Sequence, residues 1–446
     1  MKGKNVMKKV KSVLIFIILF SVVFLYAGCS NTKIDTENTE QTSKSIASEN
    51  ITDVYSSPIN DNEIKELSNG SFNEYGYYCA SGSLIYFFDI ESKQKIVLCN
   101  NPNCLHDSSE CNAYISSKVG SDDSPSFAVS NSAVFIFCRN DRLYLLLTDG
   151  TMLSVKYDGT DHKIVSAIDS KYSFEKGYLK GNEIIIYSFY SSQEQGEIVE
   201  KACFIIYNID TNKWIQGEAF DRNLTGDNLV GITNDETAIF YHEDEITEIS
   251  SGTSINEAEK ITESTKCQIY TININTAETK IIYNGTLGDC YPVTMLNGKI
   301  YCHSRSKEQL CTIDSQTGKT AVIYENLPGE AFFETPLDDH LVIARTKEIE
   351  KDGNPENEIV EFFNVNTKKL TQAYKMESNL DWNNNFRGVL AETKDSYIMI
   401  YKAFFVVDDN GSDIPSVSDM KPYIGIISKS DFWNQKYNFE EISWSF

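Results

Sequence analysis

Three cysteines and one histidine fall within thirteen residues: Cys99, Cys104, His106 and Cys111, spaced C-x4-C-x-H-x4-C. Thiolates and a neutral imidazole are the donors that select Zn2+, and four of them close its tetrahedron. The spacing is neither that of a common zinc finger nor the C-x-x-C-H that attaches haem. Cys104 and His106 can clasp one ion only if the backbone turns sharply there, which Pro102 and the neighbouring asparagines permit. Two other readings stand beside the metal. One is a loop stapled by a Cys99–Cys104 or Cys104–Cys111 disulfide, with Cys79 as an outside partner; the other is free thiols. As a metal site or as a staple, the cluster is structural rather than catalytic. The other thiols, Cys138, Cys203, Cys267, Cys290, Cys302 and Cys311, fall in expected strands, where a thiol packs as a small apolar group.

Cys29 carries a different chemistry. Lys2, Lys4, Lys8, Lys9 and Lys11 precede an apolar run from Val13 to Leu25, which ends in Tyr26-Ala27-Gly28-Cys29. A basic head, a short apolar core and small residues before a cut describe an export signal. The pattern resembles the lipobox of bacterial lipoproteins. That resemblance implies removal of residues 1–28 and a diacylglyceryl group on the Cys29 thiol. It departs from the family at Tyr26, where leucine is usual; Leu25 stands one step earlier. The rival is an uncleaved membrane anchor, although a span needs roughly 20 apolar residues. Either way the rest of the chain is expected outside the cell, lipid-anchored at the outer face of the cell membrane in the first case.

Other chemistry is sparse. No G-x-S-x-G, H-E-x-x-H or phosphate loop occurs. Asp408, Asn410 and Asp413 give their segment a calcium-loop flavour, but the terminal glutamate of an EF-hand is missing, and a polar hairpin loop accounts for them. Asp338-Asp339-His340 could join a metal or acid–base site; a tight turn explains it as well. The remaining histidines, His162, His242 and His303, suggest no constellation.

The elements that must position these residues read as all-β. The 446-residue chain carries a net charge of −24; the five lysines and absent acids of residues 1–28 leave −29 on the remainder. Such a body repels nucleic acid and anionic surfaces, so nucleic acid is excluded as a partner. Residues 29–65 are rich in Ser, Thr, Asn, Asp and Glu and read as a flexible tether. Over residues 66–446 one pattern recurs: a strand, Asp or Asn, a β-branched residue, a polar turn, another strand. Examples are Phe88-Asp89-Ile90-Glu91-Ser92-Lys93, Tyr207-Asn208-Ile209-Asp210-Thr211-Asn212, Ile272-Asn273-Ile274-Asn275-Thr276, Cys311-Thr312-Ile313-Asp314-Ser315 and Phe363-Asn364-Val365-Asn366-Thr367, with looser copies at 155–160 and 426–430. The unit 290–326 reads as a four-stranded meander turning at Asn297-Gly298. About seven such units make a single β-propeller, against the rivals of a β-solenoid or two β-sandwiches.

The lipobox, the tether and these repeats together resemble propeller-type surface lipoproteins of Gram-positive anaerobes, related to TolB-like repeats. The resemblance covers most of 72–446 and implies binding or scaffolding. The expected function is therefore a lipid-anchored surface propeller that binds an extracellular protein or glycan. The alternative is an extracellular propeller hydrolase or lyase acting on glycans, which should display two carboxylates at glycosidase separation. Long insertions at 191–200, 243–266, 347–358 and 408–421 are each expected between second and third strands, hence on one face.

Overall fold

The computed structural model describes residues 64–442 except 109, 116–132, 195–196, 223–226, 247–252, 347–357, 379–385, 387 and 409–415. Seven sheets, antiparallel except where Glu377–Ser378 pairs parallel with Ser396–Asp408, follow one another along the chain and form the seven blades of a β-propeller. The first blade comprises Gly70–Phe72, Gly76–Ser81, Leu84–Asp89 and Gln94–Val97; the second Ala133–Arg139, Arg142–Leu147, Thr151–Lys156 and Lys163–Ala167. The third comprises Ser173–Lys180, Glu183–Glu194, Glu197–Asn208 and Lys213–Gln216; the fourth Asp227–Ile232, Thr237–Glu243, Lys266–Asn273 and Thr279–Thr286. The fifth has Val293–Leu296, Lys299–Ser304, Gln309–Ile313 and Thr320–Glu325; the sixth Glu330–Leu337, His340–Thr346, Glu358–Asn364 and Lys369–Gln372. The seventh is built on the long hairpin Ser396–Asp408 and Ser416–Ser428, flanked by Glu377–Ser378, Ala391–Glu392 and Glu440–Glu441.

Side-chain alternation explains the ring. Successive residues of a strand point to opposite faces, and each blade has a neighbour on both. Thus Ile184 and Ile186 enter the core shared with blade two, whereas Ile185 and Tyr187 enter the core shared with blade four. Tyr397 and Met399 likewise face blade six, and Ile398 and Ile400 face blade one. Seven such cores, one per seam, hold the blades together. Each fully buried Ile, Leu or Phe contributes about 1.5–3 kcal/mol, so the apolar-on-both-sides strands are what a ring of sheets demands. The last seam, between blades one and seven, closes without a shared strand among the described residues. Tyr77 and Phe88 meet Ile398 and Ile426 there, beneath a Lys93–Glu440 ion pair.

The recurring Asp/Asn motif is the hairpin between third and fourth strands. Asp89, Asn208, Asn273, Asp314 and Asn364 each accept a backbone N–H two or three residues on. The chain then passes through the left-handed region at Lys93, Asn212, Ala277, Gly318 and Lys368. An Asx turn followed by one positive-φ residue makes a four-residue hairpin loop, a length commonly built around a type I turn. The copy at 426–430 differs. Ser428 instead caps the short helix Lys429–Trp433, accepting from the Asp431 amide. In blade five, Asn297 and Gly298 both have positive φ, as a two-residue type I′ turn requires.

One strand has no counterpart in the repeat. Ile64–Glu66 pairs antiparallel with Ser173–Lys180, the first strand of blade three, and so becomes the terminal strand of that sheet. Ser68 then bridges Ile136 before the chain enters blade one. The opening segment therefore runs beside that strand from the edge of the short first turns toward the edge of the blade-to-blade links.

Candidate metal centre

The Cys/His loop leaves the fourth strand of blade one and returns toward blade two. Its local folding is set by short backbone bonds. The Cys104 amide donates to the Asn101 carbonyl, the Asn103 amide to the Asn101 side chain, and the Cys111 amide to the Ser108 carbonyl. His106 adopts φ 59°, so the sharp turn that one ion would require falls on the histidine itself. The loop is then tied down. Ile85 and Ile115 amides donate to Ala113 and Ser83 carbonyls, and Cys111, Ala113 and Ile115 are buried in the core between blades one and two.

The result is convergence. One donor atom from each of Cys99, Cys104, His106 and Cys111 lies within 4.8 Å of all the others, and His106 Nδ1 stands 3.3 Å from Cys111 Sγ. A tetrahedron with Zn–S bonds of about 2.3 Å places its sulfurs about 3.8 Å apart, so the donor set fits that ion in type and spacing. Backbone amides complete the shell: those of Asn101 and Asn112 point at the Cys99 sulfur, and that of Ala113 at Cys111. Asn112 also donates to Asn100 at 2.6 Å, closing the ends of the loop. Burial works to raise the Cys99 pKa, but those amides and the neighbouring thiols outweigh it and hold it below the ordinary thiol value. Cys111 is pushed up to about 12, first by burial and then by Cys104 and Cys99. None of the ten described cysteines is bonded to another. Cys79, the expected outside partner, packs instead in the blade-one/blade-seven core, on the opposite face of its strand from Tyr78, which belongs to the core beside the cluster.

The edge that carries this loop also carries the insertions. In a four-stranded meander the second-to-third connections and the blade-to-blade links emerge together. All four expected insertions join second to third strands. Two are partly drawn out as strand, in the long hairpins of blades three and seven, and one carries the helix Ile255–Ser264 in blade four. That helix is capped by Ser254 and rests on the next link, with the Leu287 and Gly288 amides donating to Thr265 and Glu263 carbonyls.

The other candidates are dispersed. Cys29 and the signal lie outside the described residues, as do Asn410 and Asp413; Asp408 ends the second strand of blade seven. Among the described residues no helix is long and apolar enough to cross a membrane. Asp338 belongs to the first turn of blade six and stitches that blade to the seventh. It accepts hydrogen bonds from Tyr397, from Trp433 Nε1 at 2.9 Å and from Lys429 Nζ at 3.0 Å. Burial would raise its pKa, but these donors prevail and lower it. His340 stacks on Trp433 with ring centroids 3.7 Å apart, so the Asp-Asp-His run is a structural joint. Two hollows, of about 310 and 270 Å³, are lined by Asp235 with Lys280 and by Glu440 with Lys93; neither holds a carboxylate pair.

One arrangement escaped the sequence. Cys267, Cys290, Cys302 and Cys311 share the core between blades four and five, and their sulfurs touch in succession. The signal was partly present. A hairpin turning near 304–308 puts Cys302 opposite Cys311, whereas nothing local brings Cys267 to Cys290.

The molecule is thus a seven-bladed propeller with one loop-built edge and a four-donor Cys/His centre on it. No family model and no curated protein matches the chain. Solved structures similar to it include an oligogalacturonate lyase in complex with manganese, at 9% identity and TM-score 0.40 over 83% of this chain and 92% of that one. An acylaminoacyl peptidase of Pyrococcus horikoshii is similar at 8% identity and TM-score 0.45; 85% of this chain covers 52% of the peptidase, about half its length. An uncharacterised protein of Listeria monocytogenes is similar at 12% identity and TM-score 0.35, over 68% and 78% of the two chains. These likenesses carry no residue, ligand or activity across.

Proposed function

We propose that this protein is a lipid-anchored extracellular propeller that acts as a binding or scaffold module through its loop-built edge. On that edge, Cys99, Cys104, His106 and Cys111 hold Zn2+ as a structural brace. The observation that carries the reading is the common exit of the four long insertions and the Cys/His loop beside the blade-to-blade links. Loops on a rigid scaffold can vary without disturbing the core, and binding residues concentrate there. The lack of a carboxylate pair in either hollow favours binding over glycan cleavage.

The path of Ile64–Glu66 supports an orientation for such a module. Ile64 lies at the short-turn edge, opposite Lys180. Anchored through Cys29, the propeller turns its short-turn edge to the membrane and its loop edge outward, toward an extracellular protein or glycan. Its acidic body keeps it off anionic surfaces.

The test compares two edges of the full chain on intact cells and in envelope extracts. Shortening the 347–357 and 409–415 segments should abolish partner capture, whereas substitutions in the short turns at 181–182 and 297–298 should leave it intact. Equal capture by both sets overturns the reading. Cys29→Ser should release the protein from the membrane fraction.

A further inference from the structure

The four thiols between blades four and five stand in a line rather than around a point. Cys267 opens the third strand of blade four, and its sulfur donates to the Cys290 carbonyl at 3.8 Å. Cys290 lies in the link to blade five. Cys302 and Cys311 sit directly opposite each other on the second and third strands of blade five. Side-chain contacts join Cys267 to Cys290, Cys290 to Cys302, and Cys302 to Cys311. All four are buried, at 1%, 0%, 1% and 7% exposure. Unlike the Cys/His loop, these sulfurs do not converge into a set that could surround one ion.

The four thiols are unbonded in the structure; we propose that on oxidation they pair as two disulfide bonds, Cys267–Cys290 and Cys302–Cys311. Three successive contacts along a line of four thiols allow only one complete pairing, because a Cys290–Cys302 bond strands both ends. Directly opposed antiparallel residues have Cα atoms about 4.5–5.5 Å apart, inside the roughly 4.4–6.8 Å that a disulfide spans. The first bond ties the third strand of blade four to the link that follows it. The second pins the central hairpin of blade five. Together they stiffen both sides of a seam that is otherwise held by packing, by the Arg305–Glu263 ion pair and by the Lys280 bond to the Gln316 carbonyl.

The chemistry is thiol–disulfide exchange during folding, before burial closes the site. One cysteine thiolate attacks the disulfide of an oxidant, forming a mixed disulfide. Its partner's thiolate then displaces the oxidant's second sulfur as a thiolate. Each pair loses two protons and two electrons, and the oxidant disulfide becomes two thiols. In the cell this inference rests on the extracellular location proposed above, because such bonds persist in oxidising compartments.

The experiment separates the two ideas. The full chain is unfolded, refolded in a mixture of oxidised and reduced glutathione, blocked with N-ethylmaleimide, digested and mapped by mass spectrometry. Linked peptides Cys267–Cys290 and Cys302–Cys311 are expected, with the chain lighter by four hydrogens. Free thiols at all four positions, or a Cys290–Cys302 bond, overturn the pairing wherever the protein lives. Cys302→Ser should retain Cys267–Cys290 and leave Cys311 blocked as a thiol; Cys290→Ser should retain Cys302–Cys311. Should a variant not fold, the wild-type map still decides. Mapping of protein blocked directly in intact cells is the second arm. Bonds after refolding but thiols in cells mean that the location fails while the pairing holds.

Discussion

Cysteine occupies two links of the same ring in opposite ways. Between blades one and two, three thiols and an imidazole converge from one short loop, within 4.8 Å of one another. Between blades four and five, four thiols come from one strand of blade four, the joining link and two strands of blade five, and they touch only in sequence. Convergence creates a centre that several donors can share, and repulsion among the thiolates is relieved by a cation. A line offers only pairs, and a pair of thiols is satisfied by a covalent bond. Ligand count alone does not separate a metal site from a disulfide site; the figure formed by the sulfurs does.

The largest effect should come from emptying the convergent centre. Cys104→Ser, or exhaustive chelation, is expected to take the purified chain from one zinc to none by elemental analysis. Structural zinc sites bind with about 10–16 kcal/mol in small peptides, and loss of the brace should expose the loop to proteolysis near 99–115. Unchanged metal content in Cys104→Ser would erase the distinction between the two regions.

Reduction of the linear array comes next. Removing a native disulfide commonly costs about 2–4 kcal/mol, so the oxidised chain should lose several degrees of melting temperature on reduction. The zinc-depleted Cys104→Ser chain should lose a similar amount. If reduction acts only when the Cys/His cluster is intact, the disulfides belong there instead.

His106→Asn sharpens the comparison further. Asparagine tolerates the left-handed conformation that His106 adopts, so the turn survives and only the imidazole is lost. Zinc should then bind more weakly, by at least tenfold in a competition titration, with little change in the melting temperature of the metal-free chain. A large fall in metal-free stability would show that the backbone, not the ligand, was the function of His106.

The smallest effect concerns a seam without sulfur. Asp338 links blades six and seven, and its pKa is lowered in the folded state by Tyr397, Trp433 and Lys429 despite burial. A depressed carboxyl contributes stability above its unfolded pKa of about 3.9 and loses it as pH falls through the folded value. Melting temperatures between pH 5 and 2 should decline less steeply in Asp338→Asn than in the parent. Parallel profiles would remove Asp338 as a pH-sensitive fastener.

Much of the architecture was legible because its causes are local. Asp89, Asn273, Asp314 and Asn364 announce hairpins, since an Asx side chain bonds amides only two or three residues away. Ile184-Ile185-Ile186-Tyr187 announces a strand buried on both faces. The Cys/His cluster was legible for the same reason: its four donors lie within one loop. Cys79 was misplaced as a partner because the face of a strand on which a side chain falls depends on register, and a single residue reverses it.

The sequence by itself determined the all-β class, the turn chemistry that punctuates it and the donors of the candidate metal centre, because each depends on neighbours a few residues apart. Only the tertiary structure decided that blades one and seven close without a shared strand among the described residues, that Ile64–Glu66 joins the sheet of blade three, and that Cys267 meets Cys290 while Cys302 meets Cys311. Those contacts form where separate sheets are pressed together, and their partners are chosen by the stacking of blades rather than by the run of the chain.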